Sequence, residues 1–277
     1  MFPILASLLG ASVANCVPVP GADRLWQPPI RWTIVGELHG TNESPEAFAN
    51  LVCLAAATGR PVTVAVEYSA DSQKIIDAYL ASKGDTRARA ALLKLQPFTS
   101  EMQDGRGSVA FLRMWDQFRR MKQSGQINTV IASDVGRSST PGQERDAVMA
   151  QTWTGIPAAD DGIILILVGN VHAMRKPMSF PGHTIVTAGS LMPAGRTITV
   201  NVVGIGGTAW NCQADGCKAH DNGPPHQAER GISYLTDPDR RWDAEYQLGK
   251  PTTAAAPALT QRVLTSPSQV QMNGSNR

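Results

Sequence analysis

The sequence predicts an α/β protein with a central, mostly parallel β-sheet flanked by helices, and three observations predict it. Short runs rich in Val and Ile recur at residues 32–36, 62–66, 129–133 and 163–169. Without polar alternation, such runs suit strands covered on both faces. Helical segments separate them, which is the order of strand–helix–strand units in a parallel sheet. Each run also ends on a charged or metal-capable side chain, and in open parallel sheets ligands bind outside the carboxyl ends of the strands.

The first run leads into Glu37-Leu38-His39. Ser44 is placed to cap the next helix, with Pro45 at its first position and Glu46 complementing the helix dipole. Gly59-Arg60-Pro61 stops that helix, and the second run follows at once, giving a right-handed crossover to a parallel strand. Residues 71–95 read as two helices broken at Gly84-Asp85, the first capped by Asp71; residues 96–107 read as loop. Residues 108–124 form an amphipathic helix in which Val109, Phe111, Leu112, Trp115, Phe118 and Met121 recur at three- and four-residue steps and face the core. Gly125 ends it before the third run, and a helix over 141–153 leads to the fourth. Residues 184–187 and 196–203 suggest further strands, and 204–225 a loop or hairpin.

A chain of 277 residues with 42% hydrophobic content buries one sizeable core. The expected organisation is a signal peptide over 1–15, a single α/β domain over 16–262 and a disordered tail over 263–277. Residues 1–14 carry an apolar stretch without a positive n-region, ending in the small-x-small site Ser12-Val13-Ala14, so the expected location is periplasmic or secreted. Val13-Ala14-Asn15-Cys16 is close to a lipoprotein box, leaving Cys16 three fates: a lipid anchor, a disulfide, or removal with the signal. Cys212 and Cys217 flank a Gly-containing turn suited to a disulfide, while Cys53 lies in an apolar stretch and reads as a small buried residue. A net charge of +2 with scattered Lys and Arg provides no nucleic-acid stripe, and no apolar run approaches the ~20 residues of a transmembrane span.

The candidate chemistry gathers at the strand ends. Glu37 and His39 share a face in extended backbone, as an acid/base pair or as two ligands of a divalent metal ion. Glu67 follows a buried Val run and needs a charged partner, hydrogen bonds or a metal. His172 is a second imidazole on the same edge, and Arg145 is placed to bind an anion or hold Glu67 ionised. Glu37, His39, Glu67, Arg145 and His172 are therefore the expected catalytic residues, with His39, Glu67 and His172 as the candidate metal ligands. Glu43, Arg106, Asp134 and Asn170 are the expected substrate contacts. His183, His220 and His226 lie in Pro- and Gly-rich surroundings and read as surface residues. The signatures of serine hydrolases, P-loops and His-Glu-x-x-His metalloproteases do not occur.

Four of these segments carry a resemblance: residues 36–45 (Gly36-Glu37-Leu38-His39-Gly40 onward), Val66-Glu67, Arg145-Asp146 with Met149-Ala150, and Gly169-Asn170-Val171-His172-Ala173. Here the chain resembles the superfamily joining erythromycin esterases, Tiki-type metalloproteases, TraB/GumN proteins and ChaN-type haem-binding lipoproteins. The likeness spans about residues 31–175, and residues 241–249 look like the closing segment of the same group. It implies an α/β fold whose polar site comprises Glu37, His39, Glu67 and His172, supported by Arg145. In the protease branch such a site uses a divalent metal; in the esterase branch it activates water for ester or lactone cleavage. The ChaN branch binds haem, and the extra His pair associated with its first helix is absent here. The expectation is an exported hydrolase acting on a small-molecule or peptide substrate. His39 or His172 with Glu67 would activate water, directly or on a metal, and Arg145 or Asn170 would stabilise the oxyanion. The alternative is a haem- or iron-binding uptake protein without turnover.

Overall fold

The computed structural model describes residues 16–135, 142–157 and 159–259, so the expected signal peptide and the 263–277 tail lie outside the described residues. In chain order the elements are β1 (Trp32–Glu37), α1 (Glu43–Ala56), β2 (Val62–Ser69), α2 (Gln73–Ala81), α3 (Thr86–Leu92), α4 (Gln96–Thr99) and α5 (Val109–Gln123). There follow β3 (Val130–Asp134), α6 (Gly142–Gly155), β4 (Ile163–Gly169), β5 (Met178–Phe180), β6 (His183–Ile185) and β7 (Thr197–Val203). The last are β8 (Thr208–Gln213), β9 (Gly216–Asp221), β10 (Gly231–Tyr234) and β11 (Ala244–Gln247).

Seven strands form one sheet in the order β10-β11-β7-β1-β4-β2-β3, parallel throughout except where β10 pairs antiparallel with β11. Its two faces are covered separately. Val35, Val64, Leu165 and Val200 pack with Phe48 and Leu51 of α1 and Phe111, Trp115 and Phe118 of α5. On the other face Trp32, Ile34, Ile164 and Ile166 pack with Met149 and Trp153 of α6. Residues of β1 are buried along the whole strand, which is what a run lacking polar alternation requires.

β1 and β2 run parallel as the crossover requires, with β4, buried from Ile163 to Val168, between them: the most apolar strand loses most by sitting at an edge. Some element details differ from the sequence-based expectation. α1 starts at Glu43 rather than after Ser44, whose hydroxyl bonds that of Thr41 at 2.7 Å. The expected loop over 96–107 contains the short helix α4. Val109 is exposed at the start of α5, where Ser108 Oγ caps the helix by accepting the Phe111 N–H. Cys53 is buried as expected and is joined to Cys16 in a disulfide, so of the fates open to Cys16 the structure has the paired one, which leaves its sulfur no bond for a lipid. Cys212 and Cys217 are joined across the β8–β9 hairpin.

Two features aim the chain at its upper edge. After β1 it turns towards α1 on one face; after β4 it turns to the other, where residues 188–191 pack on α6. Neighbouring strands with diverging exits leave a crevice at their carboxyl ends. The register sets Glu37 level with Gly169 across that crevice. Residues 251–259, which lack a periodic apolar face, strap the surrounding loops through the backbone. Ala255 N–H donates to Gly40 O, Val109 N–H to Ala256 O, and Ala258 N–H to Gly107 O.

Candidate active site

Glu67 is the hub. It lies where the pairing of β2 with β3 shifts register after Val66, an irregularity of the kind that re-aims side chains near active sites. Its Oε1 accepts from Arg106 Nη1 at 2.8 Å and Arg145 Nη2 at 2.6 Å. Its Oε2 accepts the Gly169 N–H at 2.6 Å and lies 3.4 Å from His39 Nε2. Arg145, projecting from α6, also grips Asp134 through Nε and Nη2, both at 2.7 Å. Arg106 is steadied by Asp104 through Nη2 at 2.6 Å, and its backbone carbonyl accepts the Tyr68 hydroxyl at 2.6 Å.

The two imidazoles flank this carboxylate in different states. His39 Nδ1 lies 2.7 Å from Glu37 Oε1, so both ring nitrogens face carboxylates. Burial works against its charge, but Glu67 and Glu37 outweigh that and raise its pKa to about 10. His39 is thus an imidazolium at neutral pH. His172 Nε2 meets Arg145 Nη1 at 2.9 Å, and its Nδ1 meets Asp146 Oδ1 at 2.8 Å. Arginine only donates, so His172 Nε2 is a bare acceptor and the proton sits on Nδ1, directed at Asp146. Asp146 is held in turn by the Ala188 N–H at 2.7 Å.

Burial separates the supporting groups from the working ones. The side chains of Glu37, Glu67 and Asp146 are at most 4% exposed, whereas His39 and His172 are 21% and 19% exposed. A substrate entering from solvent therefore meets the imidazoles before it meets those carboxylates. Burial would raise the Glu67 carboxyl, but Arg106 and His39 reverse this and hold it well below its ordinary range. A carboxylate so held, with four donors around it, is a poor base and a good anchor. Gly169 matters by what it lacks: a Cβ there would stand 3.2 Å from His39 Nε2 and 3.5 Å from both Glu67 Oε2 and His172 Cδ2. The bare backbone at this point lets the three groups face one another.

Of the predicted residues, Glu37, His39, Glu67, Asp134, Arg145 and His172 are brought together, and Arg106 joins them. Arg106 and Asp134 are buried in the network rather than presented to a substrate. Asn170 lies beside it, its carbonyl accepting Trp242 Nε1–H at 3.1 Å. Glu43 is not part of the cluster: its carboxylate accepts the backbone N–H and hydroxyl of Thr253, each at 2.8 Å, because the first turn of α1 points it at the 251–259 strap. Asp146, Asp104 and Gly169 are functional neighbours that the sequence reading left unassigned. The side chain of His183 lies outside the described residues.

As arranged, His39, Glu67 and His172 do not fit a divalent cation. Both Glu67 oxygens and the His172 Nε2 lone pair are already taken by N–H donors. The Arg145 guanidinium fills the cationic place between Glu67, Asp134 and His172.

No protein-family model matches this chain, and no curated protein sequence does. Among solved structures, it is similar to one described as a succinoglycan biosynthesis protein, at 8% identity and TM-score 0.60, covering 82% of this chain and 89% of that one. A protein from Bacillus cereus matches at 11% identity and TM-score 0.54, over 83% of this chain and 90% of that one. An erythromycin esterase variant in its open conformation matches at 13% identity and TM-score 0.43, over 82% and 88%. The chain spans only 37% and 40% of the length of two bacterial protein toxins that it also matches. At these identities the likeness is one of fold alone, carried in this chain by a mostly parallel seven-stranded sheet flanked by helices.

Proposed function

We propose that this chain, built on that fold, is a hydrolase that cleaves an ester or amide bond with two imidazoles, one acting as general base and the other as general acid. The observation that carries the reading is the division of charge across Glu67: His39 holds a proton between two carboxylates, while His172 presents a bare Nε2 backed by Asp146. An acid and a base kept apart by their surroundings, on one small centre, is what carbonyl hydrolysis at neutral pH requires.

The steps follow from those states. Substrate entry draws Arg145 Nη1 from His172 Nε2 towards the carbonyl oxygen, where its charge stabilises the developing oxyanion. His172 Nε2 takes a proton from water as the water oxygen bonds to the carbonyl carbon, and the Nδ1–H···Asp146 bond stabilises the resulting imidazolium. His39 Nε2–H then protonates the departing oxygen or nitrogen as its bond to carbon breaks. Glu37 and Glu67 hold His39 for reprotonation by solvent, while His172 returns its proton to solvent. The disulfides Cys16–Cys53 and Cys212–Cys217 support a periplasmic or secreted location, since such bonds persist in oxidising compartments.

The test is a panel of carboxylic esters, lactones and peptides, with and without chelator, on the wild type and on His39→Ala and His172→Ala. At least one ester or lactone should be turned over regardless of chelator, and each variant should lose about 10²–10⁴-fold in kcat while melting as the wild type does. Full activity in both variants, or none on any panel member, contradicts the proposal. A saturating Soret shift on haem titration without turnover would replace it with the haem-uptake reading.

A further inference from the structure

A second feature shares the walls of the two catalytic loops. A cleft of about 250 Å³ lies over the ends of β1 and β7, lined by Leu38, Asn170, Asn201, Val203, Asn222 and His226 among others. Leu38 stands between Glu37 and His39 in the chain, and Asn170 between Gly169 and His172. The same two turns therefore present imidazoles to the charged centre and these two side chains to the cleft. Asn201 pairs in register with Gly36, and a Cβ on Gly36 would lie 2.9 Å from Asn170 Cα. The absent side chain thus lets Asn170 settle over the position next to Asn201.

The lining differs chemically from the centre beside it. No Asp, Glu, Lys or Arg contributes to it among the described residues, while carboxamides and aliphatic groups do. The carboxamides present acceptors. Thr252 Oγ1 donates to Gly206 O, so it must accept from Asn222 Nδ2 at 2.8 Å, which leaves Asn222 Oδ1 free to accept. Asn201 Oδ1 is buried and has no hydrogen-bond partner. Leu38 and Val203 supply apolar contact. The volume falls below the ~300–1,000 Å³ of clefts that hold drug-sized ligands, so it suits a single ring.

We infer that this cleft is the specificity subsite of the hydrolase and that it takes a neutral, hydroxyl-bearing ring attached to the scissile bond. Its catalytic meaning rests on the hydrolase reading; its binding chemistry does not. Hydroxyl groups donate to Asn222 Oδ1 and, as the Asn201 carboxamide turns towards the ligand, to the unpartnered Asn201 Oδ1; the ring's less polar face lies on Leu38 and Val203, and a cationic substituent there finds no carboxylate.

Binding is tested first, on the wild-type protein, by following Asn side-chain amide signals in an NMR titration. The probes are methyl glucoside, myo-inositol and cyclohexyl methyl ether. Saturable shifts at Asn201 and Asn222 with the glucoside or the inositol are expected, and the tighter of the two identifies a sugar or a cyclitol as the source. Asn201→Leu should weaken that binding about three- to tenfold, the loss of one hydrogen bond. Leu38→Trp, at a side chain 39% exposed, should fill the cleft and abolish binding without disturbing the core. Absence of saturable shifts, equal binding of the ether, or unchanged affinity in both variants overturns the inference. Turnover of the acetate ester of methyl glucoside is then compared with that of cyclohexyl acetate. Binding without turnover of any ester sinks the hydrolase reading alone. Turnover without binding or discrimination sinks the subsite alone.

Discussion

Replacing Glu37 with Gln removes one of the two carboxylates that hold the His39 proton, yet keeps an oxygen able to accept from Nδ1 where Oε1 now does at 2.7 Å. Glu37 Oε2 is buried without a partner, so the new amide N–H group displaces no existing bond. His39 stands at about 10 against an ordinary 6.5, roughly 5 kcal/mol in favour of the imidazolium. A contacting carboxylate typically accounts for about 1–3 pKa units, so the variant's His39 should titrate at roughly 7–9. Its protonated form is the acid in the proposed mechanism, and activity must fall as pH rises through that value. The kcat/KM profile of the wild type should hold until about pH 10, and the Glu37→Gln profile should fall from roughly pH 7–9. Stability follows the same sign: the raised pKa contributes fully below the unfolded value near 6.5 and is lost as pH rises through about 10. An alkaline limb that stays in place or moves upward in the variant would refute this reasoning.

Other expected outcomes are independent of that one. Gly169→Ala puts a methyl 3.2 Å from His39 Nε2; it should lower kcat about 10²-fold with little change in Tm, measured by steady-state kinetics and calorimetry. Asp146→Asn removes the charge behind His172 Nδ1–H and should lower kcat about 10²–10⁴-fold, an effect that unchanged kinetics would exclude. Arg106→Met strips Glu67 of a buried cation and should cost about 3–5 kcal/mol in urea unfolding. Cys16→Ser opens a disulfide between residues 37 apart in sequence and should cost about 3–4 kcal/mol, read by the same unfolding curves.

Much of the site was legible because strand ends advertise themselves. A Glu directly after Val62–Val66 cannot be buried unpaired, and the two Gly-x-x-His or Glu-x-His turns close equally apolar runs. What escaped was non-local. The apolar run of β4 marks it as a central strand, but no residue of its own says that β1 and β2 are its neighbours, and nothing local joins Cys16 to Cys53. Glu43 misled because closeness in sequence to His39 is not closeness in space once a helix begins. Asp146 had a signal that went unused: it shares a helical face with Met149, Ala150 and Trp153, all buried, so a carboxylate on that stripe needed a partner. The 251–259 strap had none: it is held by backbone bonds and by distant side chains such as Glu43 on Thr253, neither of which a local pattern encodes.

The most direct measurement is the ring nitrogen protonation of both histidines at near-neutral pH, by ¹⁵N NMR of the labelled wild type. The account predicts two protonated nitrogens on His39 and, on His172, a proton at Nδ1 with Nε2 bare. A neutral His39, or a His172 carrying its proton on Nε2, would contradict it.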